Sequence, residues 1–179
     1  MNYLKILLKR TLIKIPNGIR IWQILRAISL LRNKSFRILY SQVNKNDICL
    51  DLGANLGFAS LVMWLKGARF IYSMEPNKEA FLALSKNLKG IKNISILNKA
   101  ISSETKKEKL FLHKSIKDNN DSSKILSLSQ SSSLMADKTN IGKCFYVVDS
   151  INFEDLYKDL PLKPNFIKCD IEGGEYIIF

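Results

Sequence analysis

The chain has one histidine, His113, and three cysteines among its 179 residues. A single imidazole excludes a His-rich metal cluster. Cys49, Cys144 and Cys169 are odd in number and far apart, without the paired spacing of a metal site. Cys49 and Cys169 stand inside apolar runs, where a thiol packs as a small hydrophobe. Free thiols point to a reducing, cytoplasmic setting. Long apolar runs are also missing. Near the start they are broken by Lys5, Lys9, Arg10, Lys14, Arg20 and Arg26, well short of the ~20 residues of a membrane span. No unbroken apolar core of ~7–15 residues leads to a small-residue cleavage site, which disfavours a signal peptide.

Acid is absent from residues 1–46, which hold ten Lys or Arg. The rest of the chain has 18 basic and 16 acidic residues, so nearly all of the net charge of +12 belongs to this first segment. Residues 3–15 and 19–40 carry apolar residues at helical spacings with basic residues between them, and Pro16-Asn17-Gly18 reads as a turn. Residues 1–46 are therefore a basic helical N-terminal extension. Three readings stay open for it. It lies on an anionic membrane surface with Trp22, Phe36 and Tyr40 near the interface. Alternatively it is a helical cap that helps close a pocket, or a solvated basic face over a packed apolar one.

The densest signal is Ile48 to Gly57, Ile-Cys-Leu-Asp-Leu-Gly-Ala-Asn-Leu-Gly. An apolar run ends at Asp51, Gly53 and Gly57 follow, and a helical pattern begins. A strand, a glycine turn and a helix start place a nucleotide-like ligand at the carboxyl end of a parallel sheet. Glu75 closes the next apolar run, Arg69 to Met74, where an acid can take two ribose hydroxyls. The two glycines alone need only mean a tight turn; Asp51 before them and Glu75 after them favour a cofactor. A dinucleotide fingerprint requires a third glycine, and Asn55 occupies that place. Its bulk disfavours a close pyrophosphate and an NAD-dependent enzyme. A cofactor with ribose and adenine but no phosphate, S-adenosylmethionine, fits better.

From Asp47 onward strands and helices alternate. The expected strands are 48–52, 69–74, 93–98, 107–112, 143–148 and 166–170, with helices at 56–66, 78–89 and 153–158. This predicts parallel strands joined by right-handed crossovers. Residues 115–140, rich in Ser, Asn, Asp and Lys, read as a surface excursion or flexible loop, either a cover over a substrate or a disordered insertion. From Glu172 another helix is expected. The apolar run Tyr176 to Phe179 ends inside it, which predicts that the domain, residues 47–179, is incomplete at its C-terminus.

Asp51-Leu-Gly-Ala-Asn-Leu-Gly57, Glu75-Pro76-Asn77, Ala100-Ile101-Ser102 and Lys168-Cys-Asp170-Ile-Glu172-Gly-Gly-Glu175 resemble, in order and spacing, the FkbM-type S-adenosylmethionine-dependent methyltransferases. The resemblance covers roughly residues 46–179. The last motif is the more specific, and Gly174 departs from the Ala usual there. The fold implied is α/β, a Rossmann-like class I methyltransferase sheet, doubly wound and C-terminally truncated. The implied activity is methyl transfer to oxygen, often on sugar hydroxyls of a glycan or small-molecule acceptor.

Methyl transfer from a sulfonium asks the protein to align the acceptor oxygen and exclude water, and a base helps with an ordinary alcohol. Asp170, at the carboxyl end of the strand expected beside the first, is the candidate facing methyl and acceptor, with Glu172 second. Glu175 reads as a helix-stabilising carboxylate, and Lys168 as the partner of one. Asp51 orders the glycine turn and reaches the methionyl amino group, or simply caps the turn. Asn55 contacts the cofactor carboxylate, Glu75 the ribose, and Asn98 and Ala100 lie near the adenine. Two rival functions remain. One is a nucleic-acid (RNA) methyltransferase, disfavoured by the near-neutral charge beyond residue 46 and by the lack of an Asn-Pro-Pro-Tyr or Asp-Pro-Pro-Tyr loop. The other is a non-catalytic membrane-surface module on a degenerate fold.

Overall fold

The computed structural model describes residues 18–172 and 174–175. The helix expected at 3–15, and that after Gly174–Glu175, lie outside the described residues. The alternation read from the sequence is present. Strands β1 (Ile48–Leu52), β2 (Phe70–Met74) and β3 (Ile94–Leu97) are joined by helices at Phe58–Lys66 and Lys78–Asn87. A later strand, Phe166–Cys169, inserts beside β1. All pairings in this sheet are parallel.

The N-terminal stretch is two helices rather than one over 19–40: α1 (Gly18–Leu30) and α2 (Lys34–Gln42). Asn33 makes the break, because its side-chain oxygen accepts from the Ser35 N–H and caps α2. The helices after β1 and β2 are then α3 and α4. Between β3 and the last strand come β4 (Ala100–Ser102), β5 (Lys107–His113), α5 (Ser122–Ser127), β6 (Ile141–Asn152) and α6 (Phe153–Asp159). The last strand, Phe166–Cys169, is β7. The four parallel strands lie in the order β3-β2-β1-β7, and β4-β6-β5 form a second small sheet in which β5 and β6 run antiparallel, against the parallel expectation for that pair. This is a Rossmann-like α/β fold: the chain winds outward from β1 to β3 and returns to the other side of β1.

Side chains alternate across the parallel sheet. Leu50, Leu52, Tyr72 and Met74 face Ile101 of β4, Ile151 of β6 and Leu156 of α6. Cys49 and Ile71 face α3, with Met63 and the half-buried Phe36 and Leu39 of α2. The N-terminal helices thus dock on α3. Gln23 of α1 donates to the carbonyls of Asn87 and Lys89, and Arg26 and Arg20 stack over Phe58 and Trp64. Among the described residues no helix is long and apolar enough to cross a membrane. Cys49 is fully buried, and burial pushes its thiol up to about 12, so it packs inertly.

Residues 115–140 correct the loop reading. Ile116 and Ile125 pack with Leu112 in a small core of their own, and α5 and a 3-10 turn at Ser129–Ser131 order the stretch. Apolar residues spaced through a polar segment were the available signal, outweighed by its Ser and Asn content.

Gly57 caps α3 at φ 80°, and a Cβ there lies 2.7 Å from Leu84 Cδ1. Gly57→Ala adds left-handed strain to a displaced core side chain, and we expect a loss of about 1–3 kcal/mol in urea unfolding. An unchanged midpoint would show that the turn does not require this backbone.

Candidate functional site

The site begins as a polar row crossing an apolar sheet. Lys168 of β7 and Ser73 of β2 are the register partners of Asp51 in β1, so all three side chains leave the sheet on one face. Asp51 is fully buried. Its Oδ2 accepts from Ser60 of α3 at 2.6 Å, and the Ser60 hydroxyl also meets Ser73 Oγ at 2.8 Å. No well-aligned donor meets Oδ1. Lys168 holds that oxygen by charge, its ammonium 3.2 Å away and 3.5 Å from Asp170 Oδ2. Burial pulls the Lys168 pKa down, but Asp51 and Asp170 outweigh it and push it up, so the ammonium stays charged. The same ammonium donates to the carbonyl of Gly53 at 3.1 Å. The partner expected for Lys168 is therefore Asp51, with Asp170 beside it.

Past β1 the chain turns sharply. Gly53 has φ 72°, and a Cβ there would lie 2.0 Å from the Asp170 carbonyl oxygen, so only glycine fits. Asn55 follows at φ 48°, a left-handed position that asparagine tolerates. This bend aims the Asn55 N–H at Glu75, which is 5% exposed at the end of β2. Glu75 Oε2 accepts from Asn55 N at 2.8 Å and Oε1 from Asn77 N at 2.8 Å. Burial pushes the Glu75 carboxyl up to about 7, against the pull of the two amide bonds.

These loops border a cavity of about 430 Å³ at the carboxyl ends of the strands. Gly53, Asn55, Glu75, Ala100, Asp170 and Glu172 all line it. Glu75 and Asp170, from strands on opposite sides of β1, share one end of the sheet. Asp51, Gly57 and Asn98 stand behind the wall: Asp51 holds Lys168, Gly57 caps α3, and the Asn98 amide donates to the carbonyls of Glu75 and Pro76. Asp170 is the open carboxylate, its side chain 68% exposed. Glu172 sits at φ 57°, with Lys138 3.2 Å from its carboxylate. Ile171 N–H donates to Glu175 Oε1, the reach-back expected of a helix-start carboxylate.

Of the two uses read for residues 115–140, a cover and a disordered insertion, the structure has the cover, though its tying residues were not singled out. The segment after α5 ties to the loop behind each of three strands. Asn55 Nδ2 donates to Ser129 Oγ, Asn77 Nδ2 to Ser132 Oγ, and Ser133 Oγ and Lys138 Nζ to the Glu172 carbonyl. Phe36 of α2 also lines the cavity.

No family model and no curated protein matches the chain. Among solved structures, it is similar to a proposed RNA methyltransferase of Pyrococcus horikoshii, at 29% identity over 35% of this chain and 33% of that one, with a TM-score of 0.32. A proposed methyltransferase of Escherichia coli, yhhF, gives 24% identity over 39% and 40%, with a TM-score of 0.34. A proposed methyltransferase of Streptococcus mutans in complex with SAH gives 19% over 37% and 38%, with a TM-score of 0.34. The chain thus spans between a third and two fifths of each of these structures.

Removing one partner of a buried ion pair strands the other charge. Lys168→Met leaves Asp51 with one hydroxyl donor and no cation. We expect it to lose about 3 kcal/mol of unfolding free energy at neutral pH. A loss below about 1 kcal/mol, within the range of exposed pairs, would mean that Asp51 does not need this lysine.

Proposed function

We propose that this chain is an S-adenosylmethionine-dependent methyltransferase of the FkbM type that methylates a hydroxyl of a sugar or other small-molecule acceptor. The observation that carries the cofactor is Glu75. Each oxygen of an ionised carboxylate has two lone pairs. One on each side is taken by a backbone N–H, which fixes the group, and one on each side is left for a donor in the cavity. Two adjacent ribose hydroxyls match that pair of acceptors. The bend at Asn55 suits a cofactor without pyrophosphate, because a side chain stands where a phosphate would need bare backbone.

When bound, the cofactor supplies a methyl group already activated for in-line displacement by the acceptor oxygen. The residues of the chain orient and exclude. Glu75 holds the ribose end, Gly53 and Asn55 shape the floor, and Ser129 and Ser132 close the roof against water. Asp170 receives the hydroxyl proton of the acceptor, and Glu172 stands beside it on the same loop. Lys168 stands 3.5 Å from Asp170 Oδ2 and steadies the carboxylate, which orients the acceptor by a hydrogen bond. Four carboxylates and two lysines border the cavity, a net negative lining in a chain of net charge +12. That lining favours a sulfonium-bearing ligand over a polyphosphate backbone.

Titration calorimetry tests the cofactor. Glu75→Ala is expected to weaken S-adenosylmethionine binding ~100-fold, from two charge-assisted bonds of about 1.5 kcal/mol each. In the parent chain, binding requires ionised Glu75. Below pH 7 a proton must leave first, so affinity falls by up to about tenfold per pH unit. Glu75→Gln flattens that profile. Equal affinity at pH 6 and pH 8 would rule out Glu75 as the ribose ligand. For catalysis, Asp170→Asn is expected to lower kcat ~100-fold with the cofactor Kd unchanged; a change confined to Kd would place Asp170 in cofactor binding instead.

A further inference from the structure

Helix α1 is oriented against the usual rule. A helix packed on a domain normally turns its polar face to water. Here Gln23 and Ala27 are buried against the domain, and Arg20 and Arg26 reach inward to stack on Trp64 and Phe58. The outward face is Ile21, Leu25 and Ile28, one aliphatic stripe at i, i+4 and i+7, exposed by 40%, 45% and 52%. Ile38 of α2 is 53% exposed as well. In the turn and helix that follow the stripe in the chain, Arg32, Lys34 and Arg37 are exposed, and among the described residues none of them is in an ion pair. Trp22 and Phe36 are half-buried, and Tyr40 lies under Lys66, so the aromatic residues do not form the outer face.

We propose that this face docks on an anionic lipid surface, with Ile21, Leu25 and Ile28 entering the headgroup boundary and Arg32, Lys34 and Arg37 meeting lipid phosphates. Charge selects this occupant. Residues 1–46 carry ten basic side chains and no acid. A second copy of the chain would bring an equally basic face and be repelled. Residues 1–17 hold four of these basic charges, which add to the attraction of an anionic surface. An anionic bilayer supplies both the apolar layer and the counter-charge. The inference is independent of the methyltransferase reading, because none of the three stripe residues borders the cavity.

The full chain is co-sedimented with vesicles of phosphatidylcholine alone or mixed with phosphatidylglycerol. Binding is expected only to the anionic vesicles, and it weakens as salt rises above the physiological ~0.15 M. The triple variant I21Q/L25Q/I28Q is expected to lose at least tenfold in partitioning. R32Q/K34Q/R37Q is expected to lose about fivefold per charge removed. Both variants are expected to melt at the parent temperature, since the side chains lie outside the core. Equal binding to neutral vesicles, or a triple variant that partitions like the parent, overturns the proposal. So does a triple variant that melts early, or that turns a parental dimer into a monomer on sedimentation, because the stripe is then covered by the chain itself or by a second copy.

Discussion

A carboxylate with no exposure to water must be compensated by the protein, and Asp51 draws its compensation from across the strand reversal. Its charge partner, Lys168, belongs to β7, more than a hundred residues further along the chain. The pair can form only when β1 and β7 lie side by side in one register. The same ammonium then reaches the Gly53 carbonyl, so the glycine bend is fastened from the β7 side. Asp170 follows two residues later, with its backbone against Gly53. One ion pair therefore sets the strand neighbour, the bend and the position of the candidate base. Buried pairs of this kind are weak sources of net stability against an apolar alternative, but losing one partner leaves the other charge uncompensated.

The rest of the pocket is organised by side-chain amides. Asn55 and Asn77 each have a backbone N–H on Glu75 and a side-chain amide on a serine of the roof. The residues that pin Glu75 also hold the cover over it. Glu172 does the same at the far side through its carbonyl. Its left-handed backbone is held from two directions, by Ser133 and by Lys138, which is how a residue remains at such a φ. Floor and roof are thus one hydrogen-bonded unit, and a change at the roof is felt at Glu75.

Much of this was legible from the residues. The first strand, the glycine bend, the acid closing β2 and the strand ending at Asp170 are local features, each with a short-range physical signature. Parallel alternation then required that their ends meet on one edge, and they do. What could not be read is what depends on distant contacts. The break at Leu31–Asn33 turned on a single cap. Residues 115–140 have the composition of a loop, and their packing becomes visible only once Leu112 supplies the surface that buries Ile116 and Ile125. Asn98 looked like a ligand because it ends a strand at the site edge. Its amide is instead spent on two carbonyls of the β2 turn, a use that sequence position does not distinguish.

The environments of the carboxylates divide the labour between them. Glu75 is enclosed, with its pKa raised to about 7 and its geometry fixed by two amides. It is a poor general base, because both of its fixed bonds would resist the movement that proton transfer requires. Asp170 is open at the cavity and has one cation beside it. Glu172 shares that mouth but is tethered by Lys138 and by its own backbone conformation. A group that must change partners during a reaction has to be the least encumbered of the three, and that is Asp170. Under the proposed function the tethered pair serves binding, with Glu75 at the closed end and Glu172 at the rim, where Lys138 of the roof meets it in an ion pair.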